Sequence, residues 1–168
     1  TFTIRLPLAP ADALPERPAR MLGVVPQAGT APREERKGAL VLVVDDEENI
    51  RDVLADMLRV ADHVVEVATD GESALAALPG LVERGLDVVF TDLGMPGMSG
   101  WDLAAAVKAR WPDLPVGLIT GWGAALDTDK MKEHGVDLVV PKPFRFEQVT
   151  SVVAEARLLR QARKARHA

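Results

Sequence analysis

Four apolar runs of this chain each end at a reactive polar side chain, and this pattern constrains the fold more than any other feature. The runs VLVV, VVFT, VGLI and LVVP lead into Asp45-Asp46, Asp92, Thr120 and Lys142. Short apolar runs of this kind are typical of buried strands in a parallel sheet. Because the carboxyl ends of parallel strands lie along one edge, the pattern predicts that three carboxylates, a hydroxyl and an ammonium share one pocket.

Strand and helix patterns alternate from Ala39 onward. Strands are predicted at about 40–44, 63–68, 87–91, 115–119 and 137–140. Apolar residues at helical spacing predict helices over 50–58, from about Asp70, over 99–107, over about 125–134 and from about Phe146. Pro79 is expected to end or kink the second helix, and Ser99 with Asp102 is expected to cap the third.

This alternation predicts a flavodoxin-like, doubly wound α/β fold. Right-handed crossovers give a five-stranded parallel sheet, with helices on both faces and strand order 2-1-3-4-5. Ligands of such sheets bind where the strand order reverses, at the carboxyl ends of strands one and three. Asp45, Asp46 and Asp92 are expected at that point.

Composition and charge exclude several classes of protein. The chain of 168 residues has no cysteine, so it has no disulfide framework and no thiolate metal site. No apolar run approaches the ~20 residues that cross a bilayer, and the start does not resemble a signal peptide, so a cytoplasmic location is expected. Residues 39–150 hold 9 basic and 20 acidic side chains, a net charge of −11, which argues against nucleic-acid binding and suits a cation.

The sequence predicts four segments. Residues 1–8 alternate like a strand, and residues 9–38 are interpreted as a flexible linker because they carry five of the twelve prolines without apolar periodicity. Residues 39–160 form the predicted domain, and residues 161–168 form a basic tail.

The clustered polar residues point to phosphoryl chemistry with a metal. Three neighbouring carboxylates repel one another, and a hard cation such as Mg²⁺ offsets this repulsion. One carboxylate can instead attack phosphorus, with Lys142 and Thr120 supplying a cation and a donor to the phosphoryl group. Taken singly, each residue also has an ordinary role, since paired aspartates after a strand commonly form a turn or a helix cap.

Together, four stretches resemble the receiver domain of bacterial two-component response regulators. They are VLVVDDEENIR, VVFTDLGMPGMSGWDL, LPVGLITGWG and GVDLVVPKPF, and they span about residues 39–155 in the family's order. The resemblance implies that Asp92 is the phosphoacceptor, that Asp45, Asp46, Asp92 and the backbone carbonyl of Gly94 hold Mg²⁺, and that Thr120 and Lys142 contact the phosphoryl group after transfer. It also implies a cis Lys142–Pro143 bond and a phosphohistidine-bearing partner.

Two departures from the family pattern keep alternatives open. Receivers often carry Tyr or Phe three residues before the lysine, and here that residue is Val139. One alternative is therefore a pseudo-receiver, a protein-interaction module without phosphorylation. Trp122 is large and is expected to cover the pocket. A second alternative is a hydrolase with an aspartate nucleophile. It is disfavoured, because such enzymes usually have a second carboxylate two residues after the nucleophile, where this chain has Gly94.

The first residues suggest a larger parent. TFTIRLPLA resembles the last strand of the ATP-binding domain of histidine kinases. The chain is therefore identified as the C-terminal receiver of a hybrid sensor histidine kinase, and a membrane-anchored parent is compatible with this prediction. The chain itself is not expected to be an enzyme beyond slow self-dephosphorylation, and homodimerisation through helix four and strand five is left open.

Overall fold

Strands and helices alternate strictly in the part of the chain that a computed structural model describes, residues 37–121 and 128–167. The elements are β1 Leu40–Val44, α1 Glu48–Val60, β2 Val64–Ala68, α2 Gly71–Glu83, β3 Val88–Asp92, α3 Gly100–Arg110, β4 Val116–Thr120, α4 Thr128–His134, β5 Leu138–Pro141 and α5 Phe146–His167. Three predictions fall outside the described residues: the strand-like pattern at 1–8, most of the linker at 9–38, and the position of Trp122.

All neighbouring strands pair in parallel, and the sheet has the order β2-β1-β3-β4-β5. The predicted flavodoxin-like fold is therefore confirmed. Successive side chains of a strand point to opposite faces, so Leu40 and Leu42 of β1 join one core cluster while Val41 and Val43 join the other. Helices α2 and α3 cover the first face, and α1 and α5 cover the second.

The buried face of α1 differs from the predicted one. The apolar spacing that predicts a helix over 50–58 places Val53 on the apolar face, but its side chain is 49% exposed. The buried residues are Arg51, Leu54, Ala55 and Leu58, which recur at the spacing of one helix face. The apolar pattern alone was misleading because it gave no reason to include an arginine in the core.

Pro79 does not end α2, which was one of the two outcomes predicted for it, because the helix continues to Glu83. Pro79 cannot donate a hydrogen bond to the carbonyl of Leu75. Its position is exposed, so water can hydrate that carbonyl at lower cost than in the core. Helix α2 begins after Asp70, whose side chain accepts a hydrogen bond of 2.7 Å from the N–H of Ser73.

The predicted cap of α3 is confirmed. The Ser99 hydroxyl accepts from the N–H of Asp102, and the Asp102 carboxylate accepts from the N–H of Ser99. This reciprocal pair satisfies two backbone donors at the start of the helix. It also brings Gly100 against the end of β3, where a Cβ atom would collide with the carbonyl oxygen of Asp92.

Helix α5 runs into the basic tail that the sequence predicted at 161–168. Residues 161–167 of this segment continue the helix. Arg163 within it forms an ion pair with Asp137 at the start of β5. None of the helices in the described residues has the length and apolar character that a membrane span requires.

Candidate functional site

Four strand ends place their polar side chains at one edge of the sheet. Asp45 directly follows β1, Asp92 is the last residue of β3, Thr120 is the last residue of β4, and Lys142 directly follows β5. Parallel pairing in register puts Asp92 opposite Ile119 and Thr120 opposite Pro141. The sheet topology thus brings residues nearly a hundred positions apart into one cluster.

The ammonium group of Lys142 lies between two carboxylates. Its Nζ atom is 2.7 Å from Oδ1 of Asp92 and 3.3 Å from Oδ2 of Asp45. Oε1 of Glu47 lies farther away, at 4.0 Å. Lys142 is itself held by its main chain, whose N–H donates to the carbonyl of Thr120 at 2.8 Å. The Lys142–Pro143 peptide bond is cis, as the resemblance implied.

Burial and charge act in opposite directions on these groups. Burial raises the pKa of Asp45, and the Asp92 carboxylate adds to this effect, although the Glu47 N–H and the Lys142 charge partly offset it. Burial alone would lower the pKa of Lys142, but its hydrogen bond to Asp92 and the charges of Asp45 and Asp92 outweigh burial and raise that pKa. The lysine therefore remains a cation between two carboxylates.

The two aspartates of the Asp45-Asp46 pair have different environments. Asp45 is fully buried, and its Oδ1 accepts a hydrogen bond of 2.9 Å from the N–H of Glu47. Asp46 is exposed. The next carboxylate, Asp92, is half-buried, so the depth of the acidic groups decreases from Asp45 towards solvent.

The loop after β3 approaches the Asp92 carboxylate with its backbone. The N–H of Gly94 donates to Oδ2 of Asp92 at 2.7 Å. Gly94 is exposed, and Gly97 farther along the loop has a φ of +77°, which favours glycine. Both oxygens of Asp92 therefore have a donor, Lys142 on one side and Gly94 on the other.

Thr120 is buried like Asp45, whereas Asp92 is only half-buried. It ends β4, and its carbonyl accepts from the N–H of Lys142. Each of the four strand-end side chains that the sequence singled out therefore lies at the predicted edge, with Asp45, Asp92 and Lys142 in direct contact.

Two residues of this region escaped the prediction. Glu47 extends the acidic pair towards Lys142, and Arg51 donates from its Nη1 to the carbonyl oxygen of Asp45 at 2.9 Å. The signal for Arg51 is its spacing from Leu54, Ala55 and Leu58, which puts a basic residue on the buried face of α1.

The donor atoms of the cluster suit Mg²⁺. Asp45 and Asp92 each contact the same ammonium nitrogen, so their oxygens lie close enough to share a cation. All of the charged donors are oxygens, which Mg²⁺ prefers. Within residues 37–121 and 128–167, no three acidic or histidine side chains converge into a complete metal cage. Mg²⁺ commonly takes one or two carboxylates and keeps several waters, and Asp45 and Asp92 are two carboxylates that already share one cation.

A family model described as "Response regulator receiver domain" matches residues 41–154. Among curated proteins, the chain is 38% identical over 117 residues to the response regulator protein FleR of Pseudomonas aeruginosa, covering 69% of this chain and 24% of FleR. It is 39% identical over 109 residues to the sensory transduction protein RegX3 of Mycobacterium tuberculosis, covering 65% and 46%. The chain thus spans from about a quarter to about half of these relatives.

Solved structures show the same architecture. The chemotaxis response regulator CheY4 of Vibrio cholerae is 29% identical with a TM-score of 0.64, and the match covers 71% of this chain and 98% of CheY4. The receiver domain of NtrX from Brucella abortus is 33% identical with a TM-score of 0.63, covering 70% and 98%.

Proposed function

Because the chain belongs to the response regulator receiver domain family, we propose that it accepts a phosphoryl group from a phosphohistidine onto Asp92. The observation that carries this proposal is the contact of 2.7 Å between Lys142 Nζ and Asp92 Oδ1, beside the buried carboxylate of Asp45. A half-buried carboxylate flanked by a cation and a backbone N–H is suited to attack an anionic phosphoryl group.

The transfer is a displacement at phosphorus. An oxygen of the Asp92 carboxylate forms a P–O bond while the P–N bond of phosphohistidine breaks, and the electron pair of that bond leaves on the imidazole nitrogen. Lys142 then faces a phosphoryl oxygen in place of the unmodified carboxylate, and we assign the Thr120 hydroxyl as a further donor to the phosphoryl group. Such positioning and charge stabilisation account for most of the catalysis in phosphoryl transfer.

We further propose that oxygen atoms of this chain bind a magnesium ion at the site. The carboxylates of Asp45, Asp46 and Asp92 and the carbonyl of Gly94 would hold it. An ion held there would supply positive charge that offsets the charge on the phosphoryl oxygens. Asp45 is the buried carboxylate of this set, and burial makes its negative charge costly unless a cation lies nearby.

Labelling with a small-molecule donor tests the proposal. The full chain is incubated with radiolabelled acetyl phosphate and Mg²⁺, beside Asp92→Asn and Asp56→Asn. Asp56 is an exposed aspartate of α1 that pairs with Arg59, so its substitution makes the same chemical change away from the cluster. We expect label in the wild type and in Asp56→Asn, and background label in Asp92→Asn. Equal labelling of all three chains would overturn the assignment of Asp92.

A pseudo-receiver is the second candidate, and Val139 is the observation that favours it. This half-buried residue of β5 pairs in register with Leu118, at the position where receivers often carry an aromatic side chain. A titration with beryllofluoride and Mg²⁺ separates the two candidates. A phosphoacceptor binds the mimic more tightly when Mg²⁺ is present, whereas a pseudo-receiver shows no such gain.

The wider setting is also a proposal. The strand-like sequence pattern of residues 1–8 and the proline-rich segment 9–38 support an origin as the C-terminal receiver of a hybrid histidine kinase, with the receiver itself in the cytoplasm. Its partner would be a phosphohistidine-bearing domain. The acidic core, net −11 over residues 39–150, supports signalling through protein contacts rather than through nucleic acid. A kinase core in the reading frame upstream of Thr1 is the expected result, and a DNA-binding domain downstream would contradict it.

A further inference from the structure

The guanidinium group of Arg51 is buried beneath the acidic turn that follows β1. Arg51 is 9% exposed, and its Nη1 donates a buried hydrogen bond of 2.9 Å to the main-chain carbonyl oxygen of Asp45. A charged group is costly to bury unless it is hydrogen-bonded. The phosphoryl chemistry proposed above gives Arg51 no role, although it touches the backbone of a proposed metal-binding residue.

The carbonyl that accepts from Arg51 immediately precedes Asp46 in the chain. It belongs to the planar peptide unit that joins Asp45 to Asp46. Fixing the direction of this carbonyl therefore fixes the direction in which the backbone leaves towards Asp46. Asp46 itself is exposed, so the surrounding core does little to orient it.

A second hydrogen bond holds the same turn from the other side. Oδ1 of Asp45 accepts from the N–H of Glu47 at 2.9 Å. The residue between these two contacts is Asp46. The Asp45–Glu47 turn is thus restrained by Arg51 before Asp46 and by the Asp45 side chain after it.

The backbone of Arg51 is fixed in the first turn of α1. Its own N–H donates to the carbonyl of Glu47 at 3.0 Å, in the first turn of α1. Its neighbours on the buried face of the helix, Leu54 and Ala55, are fully buried. A restrained helix therefore presents the guanidinium to a turn whose outer side chain faces solvent.

We propose that Arg51 is a positioning residue that orients the Asp46 carboxylate towards the magnesium site. This inference rests on the proposed function, because it assumes that Asp46 contributes to Mg²⁺ binding. Outer groups that orient metal-binding residues commonly change metal affinity 10–100-fold when they are replaced.

Calorimetric titration of the full chain with Mg²⁺, without any phosphodonor, tests the role. In Arg51→Met we expect a dissociation constant on the order of 10-fold higher than in the wild type. In Arg51→Lys we expect an intermediate value, because lysine can donate a hydrogen bond but lacks the planar fork of arginine. Arg59→Met is the matched control, since Arg59 lies on the same helix and pairs with exposed Asp56.

A double-mutant cycle separates positioning from general stability. If Arg51 acts through Asp46, Arg51→Met changes the magnesium affinity by less than about twofold in an Asp46→Ala chain. A purely structural arginine would instead weaken binding by the same factor with or without Asp46. That result would contradict the proposal.

A magnesium affinity within twofold of the wild type in Arg51→Met would also contradict it. If the melting temperature shows that Arg51→Met is unfolded, the same criterion applies to Arg51→Lys. Because no phosphodonor is present, these outcomes are independent of labelling at Asp92. Normal labelling with unchanged magnesium affinity would overturn the role of Arg51 alone, and absent labelling would overturn the phosphoacceptor assignment.

Discussion

Gly117 of β4 lies directly opposite Phe90 of β3, and the absence of a side chain at Gly117 leaves room for the Phe90 ring. A Cβ atom at Gly117 would lie 2.6 Å from Cδ1 of Phe90, which is fully buried. Gly117→Ala is therefore expected to destabilise the fold by about 1–3 kcal/mol through overpacking. Denaturant unfolding of the variant and the wild type measures the change.

A second substitution tests the cause of this destabilisation. Phe90→Leu should cost less in the Gly117→Ala chain than in the wild type, with a coupling of at least about 0.5 kcal/mol. Gly80→Ala is the control, because a Cβ atom there has no neighbour within 4 Å and alanine favours a helix by up to about 1 kcal/mol. Additive costs for Gly117 and Phe90 would contradict the packing argument.

At the scale of single residues, the sequence predicted the positions of the strand-end side chains better than their differences in burial and contacts. The strand-end positions of Asp92, Thr120 and Lys142 followed from strand order alone. The contrast between buried Asp45 and exposed Asp46 depends on the turn after β1, which the apolar pattern does not describe. The contact of Arg51 with Asp45 was equally hidden, because it requires the packing of α1 against the sheet.

At the scale of elements, Pro79 is the main irregularity of α2. It lies inside a helix of 13 residues and faces solvent. Pro79→Ala restores an N–H donor for the Leu75 carbonyl and removes the steric conflict of the proline ring. We expect a gain of about 1–3 kcal/mol in the free energy of unfolding, less than the full propensity difference because the unfolded chain also gains freedom.

Pro96→Ala provides the comparison for this gain. Pro96 is exposed and lies in the loop between β3 and α3, outside any helix. Its replacement should leave stability unchanged or lower it by up to about 1 kcal/mol, because the unfolded chain gains freedom. A Pro79→Ala chain no more stable than the wild type would show that α2 tolerates the proline without strain.

Strong periodicity and caps made most elements predictable. The bounds of β1 match the prediction, and the Ser99–Asp102 cap marks the start of α3. Tertiary contacts were not predictable in the same way. Arg163 of helix α5 reaches Asp137 across 26 residues of sequence. Contacts of this kind depend on the assembled sheet and have no local signature.

At the scale of the whole molecule, Asp137 joins elements at the edge of the sheet opposite the candidate site. Its Oδ2 accepts from Lys108 Nζ at 2.6 Å and from the N–H of Val116 at 2.9 Å, and Arg163 pairs with the same carboxylate. These partners come from α3, β4 and α5. Burial alone would raise the pKa of Asp137, but hydrogen bonds from Arg163, Lys108 and Val116 outweigh it and lower that pKa.

This network predicts a pH dependence of stability. A carboxylate whose pKa is lowered by folding stabilises the protein above its unfolded pKa of about 3.9, and this contribution is lost as the pH falls through the folded value. Asp137→Asn should therefore cost about 3 kcal/mol at pH 7, because it leaves Lys108 and Arg163 without their carboxylate. The cost should shrink below about pH 4.

Denaturant unfolding of Asp137→Asn and the wild type at pH 7 and pH 3 measures this difference. Asp52→Asn serves as the control, since Asp52 is an exposed aspartate of α1. Its substitution should change stability by less than about 0.5 kcal/mol at either pH. A cost for Asp137→Asn that stays constant between the two pH values would contradict the electrostatic account.

A parallel sheet gathers the strand-end residues of this chain, and among them we assign Asp92 as the phosphoacceptor. The most direct measurement is to treat the full chain with acetyl phosphate and Mg²⁺, trap the product with borohydride, and locate it by peptide mass spectrometry. Borohydride reduces phosphoaspartate to homoserine, which marks the modified residue. We expect homoserine at position 92 and nowhere else, and only when Mg²⁺ is present. Homoserine at Asp45 or Asp46, or at no aspartate, would contradict this assignment.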